Sequence, residues 1–155
     1  MPDEKIIEQL EPATGTIAAE PLLNDIQKYL EDHAVLPKGA SAALALWFFA
    51  TYAINCFRIF PKLTIFSPEK RCGKSTVLDL IEAFCFKPLI VSNISPAAIF
   101  RFIEEHQPTL IIDEADTFVQ NGSKEMVGII NSGHAKRRAN IIRASGEDFK
   151  PQKFS

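Results

Sequence analysis

Apolar residues along this chain follow two rhythms, helical spacing and short unbroken runs, and these alternate. Leu22, Leu23, Ile26, Tyr29 and Leu30 recur at helical spacing and predict an amphipathic helix ending before Pro37-Lys38-Gly39. Residues 40–57 (ASAALALWFFATYAINCF) then run without a charge, close to the minimum length of a spanning helix. Their alanines, with Ser41, Thr51, Tyr52 and Asn55, weaken insertion and suit close packing, so the segment predicts a buried helix rather than a membrane span. After Pro61, Leu63-Thr64-Ile65-Phe66 reads as a short buried strand. Ser75 to Phe86 continues as a helix with Val77, Leu78, Leu80, Ile81 and Phe84 inward, and Leu89-Ile90-Val91 is a second strand. Ser95-Pro96 starts a helix over Ala97–Glu105, with serine as the cap and proline where its missing N–H does no harm. Thr109-Leu110-Ile111-Ile112 is a third strand, ending in Asp113-Glu114. Ser123–Ser132 predicts another helix closed by Gly133, and Ala139–Ser155 a hairpin turning at Gly146-Glu147-Asp148.

Strands apolar throughout, separated by helices, predict an α/β layer with a mostly parallel sheet flanked by helices and an N-terminal helical segment. Residues 1–20, with Pro12 and Gly15 and no strong periodicity, read as a mobile lead-in. Residues 21–60 read as helices packed on a core formed by 61–155. At 155 residues and 46% hydrophobic, the chain has material for one packed domain. A formal net charge of −2 excludes a global basic field, so any nucleic-acid contact must come from a local patch. Three cysteines without a Cys-x-x-Cys pair argue against a disulfide framework or a zinc site and suit a reducing cytoplasm. The opening MPDEKIIEQLEP is acidic and polar, unlike a secretory signal.

The candidate chemistry lies in Ser67–Thr76, SPEKRCGKST. Its second half matches the end of the phosphate-binding pattern G-x-x-x-x-G-K-[ST], while Pro68 stands where the first glycine belongs. Such a loop must aim successive backbone N–H groups, backed by a helix N-terminus, at phosphate oxygens. Gly73 allows close backbone approach, Lys74 reaches the terminal phosphates, and Ser75 offers a hydroxyl to Mg²⁺. Pro68 removes one N–H at the loop's entrance, before the donors that matter most. The candidate nucleotide contacts are Lys70, Arg71, Cys72, Gly73, Lys74, Ser75 and Thr76. Arg71 either leans on phosphate or points to solvent, and Cys72 is either a lowered-pKa thiol or a loop filler. Downstream, Asp113 ends a strand where an acidic residue assists Mg²⁺ through its waters, and Glu114 can orient the attacking water. Asp113-Glu114-Ala115-Asp116 also spells the box of one helicase superfamily, but that family's other blocks are absent. The role of Asp116 is open.

The blocks SPEKRCGKSTVLDLIE, NISPAAIFR, PTLIIDEADTF and IINSGHAKRRANIIR together resemble a group of P-loop ATPase domains from phage, plasmid and mobile-element proteins. That group is treated as replicative helicases or DNA-dependent ATPases, often beside primase segments. The resemblance covers about Phe60 to Arg143 and includes the SPEK form of the loop, which accounts for Pro68. It implies a P-loop NTPase core of the ASCE/AAA+-like kind, with ATP and Mg²⁺ as ligands. It also implies Gly73, Lys74 and Ser75 at phosphate and Mg²⁺, Asp113 at the metal and Glu114 at the water. The catalytic pair is then Lys74 and Glu114, and the metal contacts Ser75 and Asp113. Asn131 matches a family block without an assigned role. The group's further strands, carrying a polar sensor and an arginine, have no counterpart before Ser155. The expectation is therefore a core lacking its C-terminal strands, binding nucleotide but hydrolysing it slowly. The alternative is a non-catalytic nucleotide-binding or assembly module.

His134-Ala135-Lys136-Arg137-Arg138, with Arg143 beyond, is the densest positive run. Lys136, Arg137, Arg138 and Arg143 are candidate contacts to DNA phosphates, giving sequence-independent, salt-sensitive binding. The other readings are a solvated turn of mixed charge and phosphate contact in an adjacent subunit of a homo-oligomer. His33 and His106 have no partners at metal-ligand spacing. A third expectation, weaker than both enzyme and module, is membrane association through residues 40–57.

Overall fold

The computed structural model describes residues 14–66, 72–92, 95–113, 127–128, 131, 141–145 and 150–154. Its elements run, in chain order, α1 (Ala19–His33), α2 (Ala40–Tyr52), a single 3₁₀ turn (Ile54–Cys56), α3 (Lys74–Phe84), β1 (Pro88–Val91), α4 (Pro96–His106), β2 (Thr109–Ile112), β3 (Ile141–Ser145) and β4 (Lys150–Phe154). β1 and β2 form one two-stranded sheet and β3 and β4 another. Thr109 N–H donates to Lys87 O and Asp113 N–H to Val91 O. The residue offset is the same at both ends, so β1 and β2 are parallel. With α4 between them they form a strand–helix–strand unit, the α/β signature expected from the alternating pattern. The chain divides into two compact units. The first holds Met1–Ala53, Thr64–Leu89 and Thr109–Ile111; the second holds Ile54–Leu63, Ile90–Pro108 and Ile112–Ser155.

In the first unit, α1, α2 and α3 share one apolar core of Leu30, Leu44, Phe48, Leu80, Ile81 and Cys85, joined by Ile111 of β2. Burying side chains the size of Phe48 or Leu30, both at most 1% exposed, contributes about 2–3 kcal/mol each. α2 carries no charge on any side, and its buried residues Ser41, Leu44, Ala45, Phe48 and Thr51 keep helical spacing. Packing therefore selects the face, because composition does not. Phe84, at the end of α3, stacks on Phe48 at 5.5 Å and meets Tyr29 edge-on at 5.4 Å, tying α3 to both other helices. Burial also pushes the Cys85 thiol up to about 11, so it stays protonated and inert at neutral pH.

In the second unit, α4 starts as its sequence dictates. Ser95 Oγ accepts from Ala98 N–H at 3.3 Å and proline occupies the first turn. Ile99, 1% exposed, is its buried anchor. Gln107 closes the helix in the left-handed region and its N–H bonds Ile103 O. β3 and β4 pair antiparallel, Ile141 opposite Phe154 and Ser145 opposite Lys150, which places the expected hairpin.

α3 runs Lys74–Phe84 against the expected Ser75–Phe86, β1 starts one residue before its expected bound, α4 extends one residue beyond its bounds at each end, and further differences have a structural reason. α1 begins at Ala19, inside the expected lead-in, with Pro21 accommodated in its first turn. The helix expected over 40–57 stops at Tyr52, where the Ala53 N–H bonds Ala50 O in a tightened last turn; Ile54 and Phe57 lie outside it, substantially exposed. The strand expected at Leu63–Phe66 does not form. An apolar run becomes a strand only where a neighbour supplies its ladder, and among the described residues none pairs with it. Phe66 is 86% exposed, while Ile65 packs against the first unit's core. The helix expected over 123–132 is described only at 127, 128 and 131, all helical.

Candidate functional site

α3 begins on a glycine because the chain must turn there. Gly73 is the N-cap with φ 83° and ψ 14°, the left-handed region that costs an L side chain about 1–2 kcal/mol. A Cβ at Gly73 meets nothing within 4 Å, so the requirement is conformational rather than steric. Lys74 is the first helical residue, and Ser75 and Thr76 follow in the same turn, all exposed. Val77 N–H already bonds Gly73 O at 3.1 Å, so the helix is formed from its first turn. Among the described residues no side chain caps this end, and the first turn holds no acidic residue. The first-turn N–H groups and the positive end of the helix dipole therefore lie beside an exposed ammonium group. Such a turn suits an anion with several oxygens.

Gly73, Lys74, Ser75 and Thr76 are thus brought together on one turn, as the motif implies, with Cys72 exposed just before it. Asp113 follows β2 immediately, its N–H bonded to Val91 O, and belongs to the second unit. Arg143 lies in β3 opposite Gln152. Asn131 is helical and exposed. Lys70, Arg71, Pro68, Glu114, Asp116, Lys136, Arg137 and Arg138 lie outside the described residues.

Among the described residues no group of three His, Cys, Asp or Glu side chains could hold a metal ion. That excludes a metal cage built from described protein ligands. Mg²⁺ held by one hydroxyl or carboxylate together with phosphates and water needs no such cage, so the donor set fits that ion. Among the described residues no helix is long and apolar enough to cross a membrane.

A cleft of about 520 Å³ lies elsewhere in the first unit, lined by residues including Gln27, Glu31, Val35, Lys38 and Ser41. None of the described motif residues lines it. Ser41 Oγ donates to Glu31 at 2.6 Å and Gln27 Nε2 donates to the same carboxyl at 2.9 Å. These bonds, the Ser41 one foremost, hold the Glu31 carboxyl below its usual range. The start of α2 on this wall thus already faces a carboxylate, which disfavours a phosphate there.

Sequence reasoning missed two polar residues, Thr51 and Thr109, whose hydroxyls both bond the backbone of Phe86. No family model, curated protein or solved structure matches the chain.

Proposed function

We propose that the chain binds ATP with Mg²⁺ through the turn that opens α3, as the nucleotide-binding part of a Mg²⁺-dependent ATPase. The observation that carries this reading is Gly73 in the left-handed region at the N-cap, with Lys74 and Ser75 exposed on the uncapped first turn. Lys74 binds and neutralises terminal phosphate charge, and the first-turn N–H groups hold phosphate oxygens without reorganising. Ser75 is the Mg²⁺ contact assigned on this turn; the Mg²⁺ role of Asp113 and the water-orienting role of Glu114 rest on sequence alone. When bound, Mg²⁺ supplies charge neutralisation and a template for the phosphates.

Thermal unfolding with ATP and Mg²⁺ tests this. Ligand at a hundred times its Kd stabilises by about 2.7 kcal/mol, which raises Tm by roughly 5–10 °C for a chain of this size. No rise in the native protein refutes the reading. The same family resemblance motivates a DNA-dependent activity through Lys136, Arg137, Arg138 and Arg143. A salt titration of single-stranded DNA binding, compared between the native chain and an Arg137→Ala/Arg138→Ala variant, tests it; equal slopes would remove these arginines from any DNA contact.

A further inference from the structure

We propose that Thr51 and Thr109 are positioning residues for the phosphate turn, gripping the far end of α3 so that its N-terminus is held in place. This role rests on the phosphate-site reading given above. Immediately after α3 the chain passes through Cys85, Phe86 and Lys87 into β1. Phe86 is held on both sides of its backbone. Its N–H donates to Thr51 Oγ1 at 3.0 Å, and its carbonyl accepts from Thr109 Oγ1 in a short bond. Thr51 is 2% exposed and spends its own proton on Phe48 O at 2.6 Å, so its oxygen is oriented to accept from Phe86. Thr109 N–H then donates to Lys87 O at 2.9 Å, and Lys87 adopts φ 48°, a backbone state rare outside glycine. Three elements, α2, α3 and β2, thus converge on three consecutive residues. A left-handed lysine persists where its surroundings over-determine it.

Apolar packing of Leu80, Ile81 and Phe84 selects which face of α3 is buried but is non-directional. The two hydroxyls supply the directional restraint. α3 has 11 residues and is about 16 Å long, so a tilt of about 4° at the Phe86 end moves Gly73 and Lys74 by about 1 Å. A displacement of that size is enough to degrade a site that relies on aimed N–H groups.

The test compares the full chain with Thr51→Val, Thr51→Ser, Lys74→Ala and Ala45→Gly. Valine keeps the shape of threonine and removes the hydroxyl, whereas serine restores it. Ala45 is buried on α2 and absent from the bonds at Phe86, so Ala45→Gly is a control for general loss of stability. ATP·Mg²⁺ affinity is measured by calorimetry at a temperature where circular dichroism shows every variant folded, and exchange of the Phe86 amide is followed by NMR. Thr51→Val removes the bonds to Phe86 N–H and Phe48 O, and is expected to weaken nucleotide binding by about tenfold and to speed Phe86 exchange. Thr51→Ser and Ala45→Gly should stay within about twofold of the native affinity. Native affinity in Thr51→Val overturns the positioning role, as does an equal loss in Ala45→Gly. Unchanged affinity in Lys74→Ala overturns the phosphate site itself, whatever Phe86 exchange shows.

Discussion

Two helices of the first unit begin with the same three-residue pattern and are used differently. α2 opens on Gly39-Ala40-Ser41 and α3 on Gly73-Lys74-Ser75. Both glycines are left-handed N-caps, at φ 81° and 83°, and among the described residues neither helix has a side-chain cap. At α2 the serine is buried and donates to Glu31, so a resident carboxylate already sits at the helix start. At α3 the serine is exposed, the first turn has no acidic residue, and a lysine replaces alanine. A glycine turn at a helix N-terminus is therefore not in itself a phosphate site. The side chains around it decide whether the positive end is already occupied or open to a ligand.

Changes at the two turns break or sharpen this contrast. The largest effect is expected from Lys74→Ala, which should abolish the Tm rise given by ATP and Mg²⁺, while Lys38→Ala beside the α2 turn leaves it intact. A preserved rise in Lys74→Ala, read by differential scanning fluorimetry, would erase the distinction between the turns. Next come Gly39→Ala and Gly73→Ala. Each forces alanine into the left-handed region at a cost of about 1–2 kcal/mol, lowering Tm by roughly 2–8 °C. Only Gly73→Ala should also weaken nucleotide binding, as calorimetry at a temperature below both transitions would show.

Alkylation gives a smaller, residue-resolved effect. Exposed Cys56 and Cys72 should be modified at pH 8 while Cys85, buried with its thiol at about 11, stays unmodified. ATP with Mg²⁺ should slow modification of Cys72, next to Gly73, and leave Cys56 unaffected. Peptide mass spectrometry reads both, and equal protection of the two cysteines would place nucleotide elsewhere.

The smallest effect concerns pH. The Glu31 carboxyl is held below its ordinary 4.5 by the Ser41 and Gln27 bonds, so its folded pKa is depressed. Its contribution is present above that ordinary value and is lost as pH falls through the lowered folded value. Tm should therefore drop slightly more between pH 5 and acid in the native chain than in Glu31→Gln. Identical acid profiles would show that the carboxylate at the α2 turn contributes nothing to stability.

The elements that the sequence made legible are those whose signals are local. Ser95-Pro96 announces α4 because cap and first turn are neighbours in the chain, and the Gly73 turn is visible because its residues are consecutive. Leu63–Phe66 misled for the opposite reason. An apolar run looks alike whether it pairs in a sheet or packs as an extended segment, and only a strand from elsewhere settles which. Within residues 40–57 only one face of α2 is buried and 52–57 are exposed; with no polar face the pattern could not show which side of α2 turns inward or that the helix ends at Tyr52. Thr51 and Thr109 carried no signal at all, since they act on Phe86 from 35 and 23 residues away.

Sequence alone determined the helix–strand alternation, the Gly73-Lys74-Ser75 motif just ahead of a helix, and the pairing of Ser95 with Pro96. Tertiary structure alone decided which of two Gly-x-Ser turns holds a carboxylate, which face of α2 was buried, and how the end of α3 was tied down. The physical reason is range. Caps and turns act within about four residues of backbone. Burial, strand pairing and the grip on Phe86 depend on groups that only folding brings into contact.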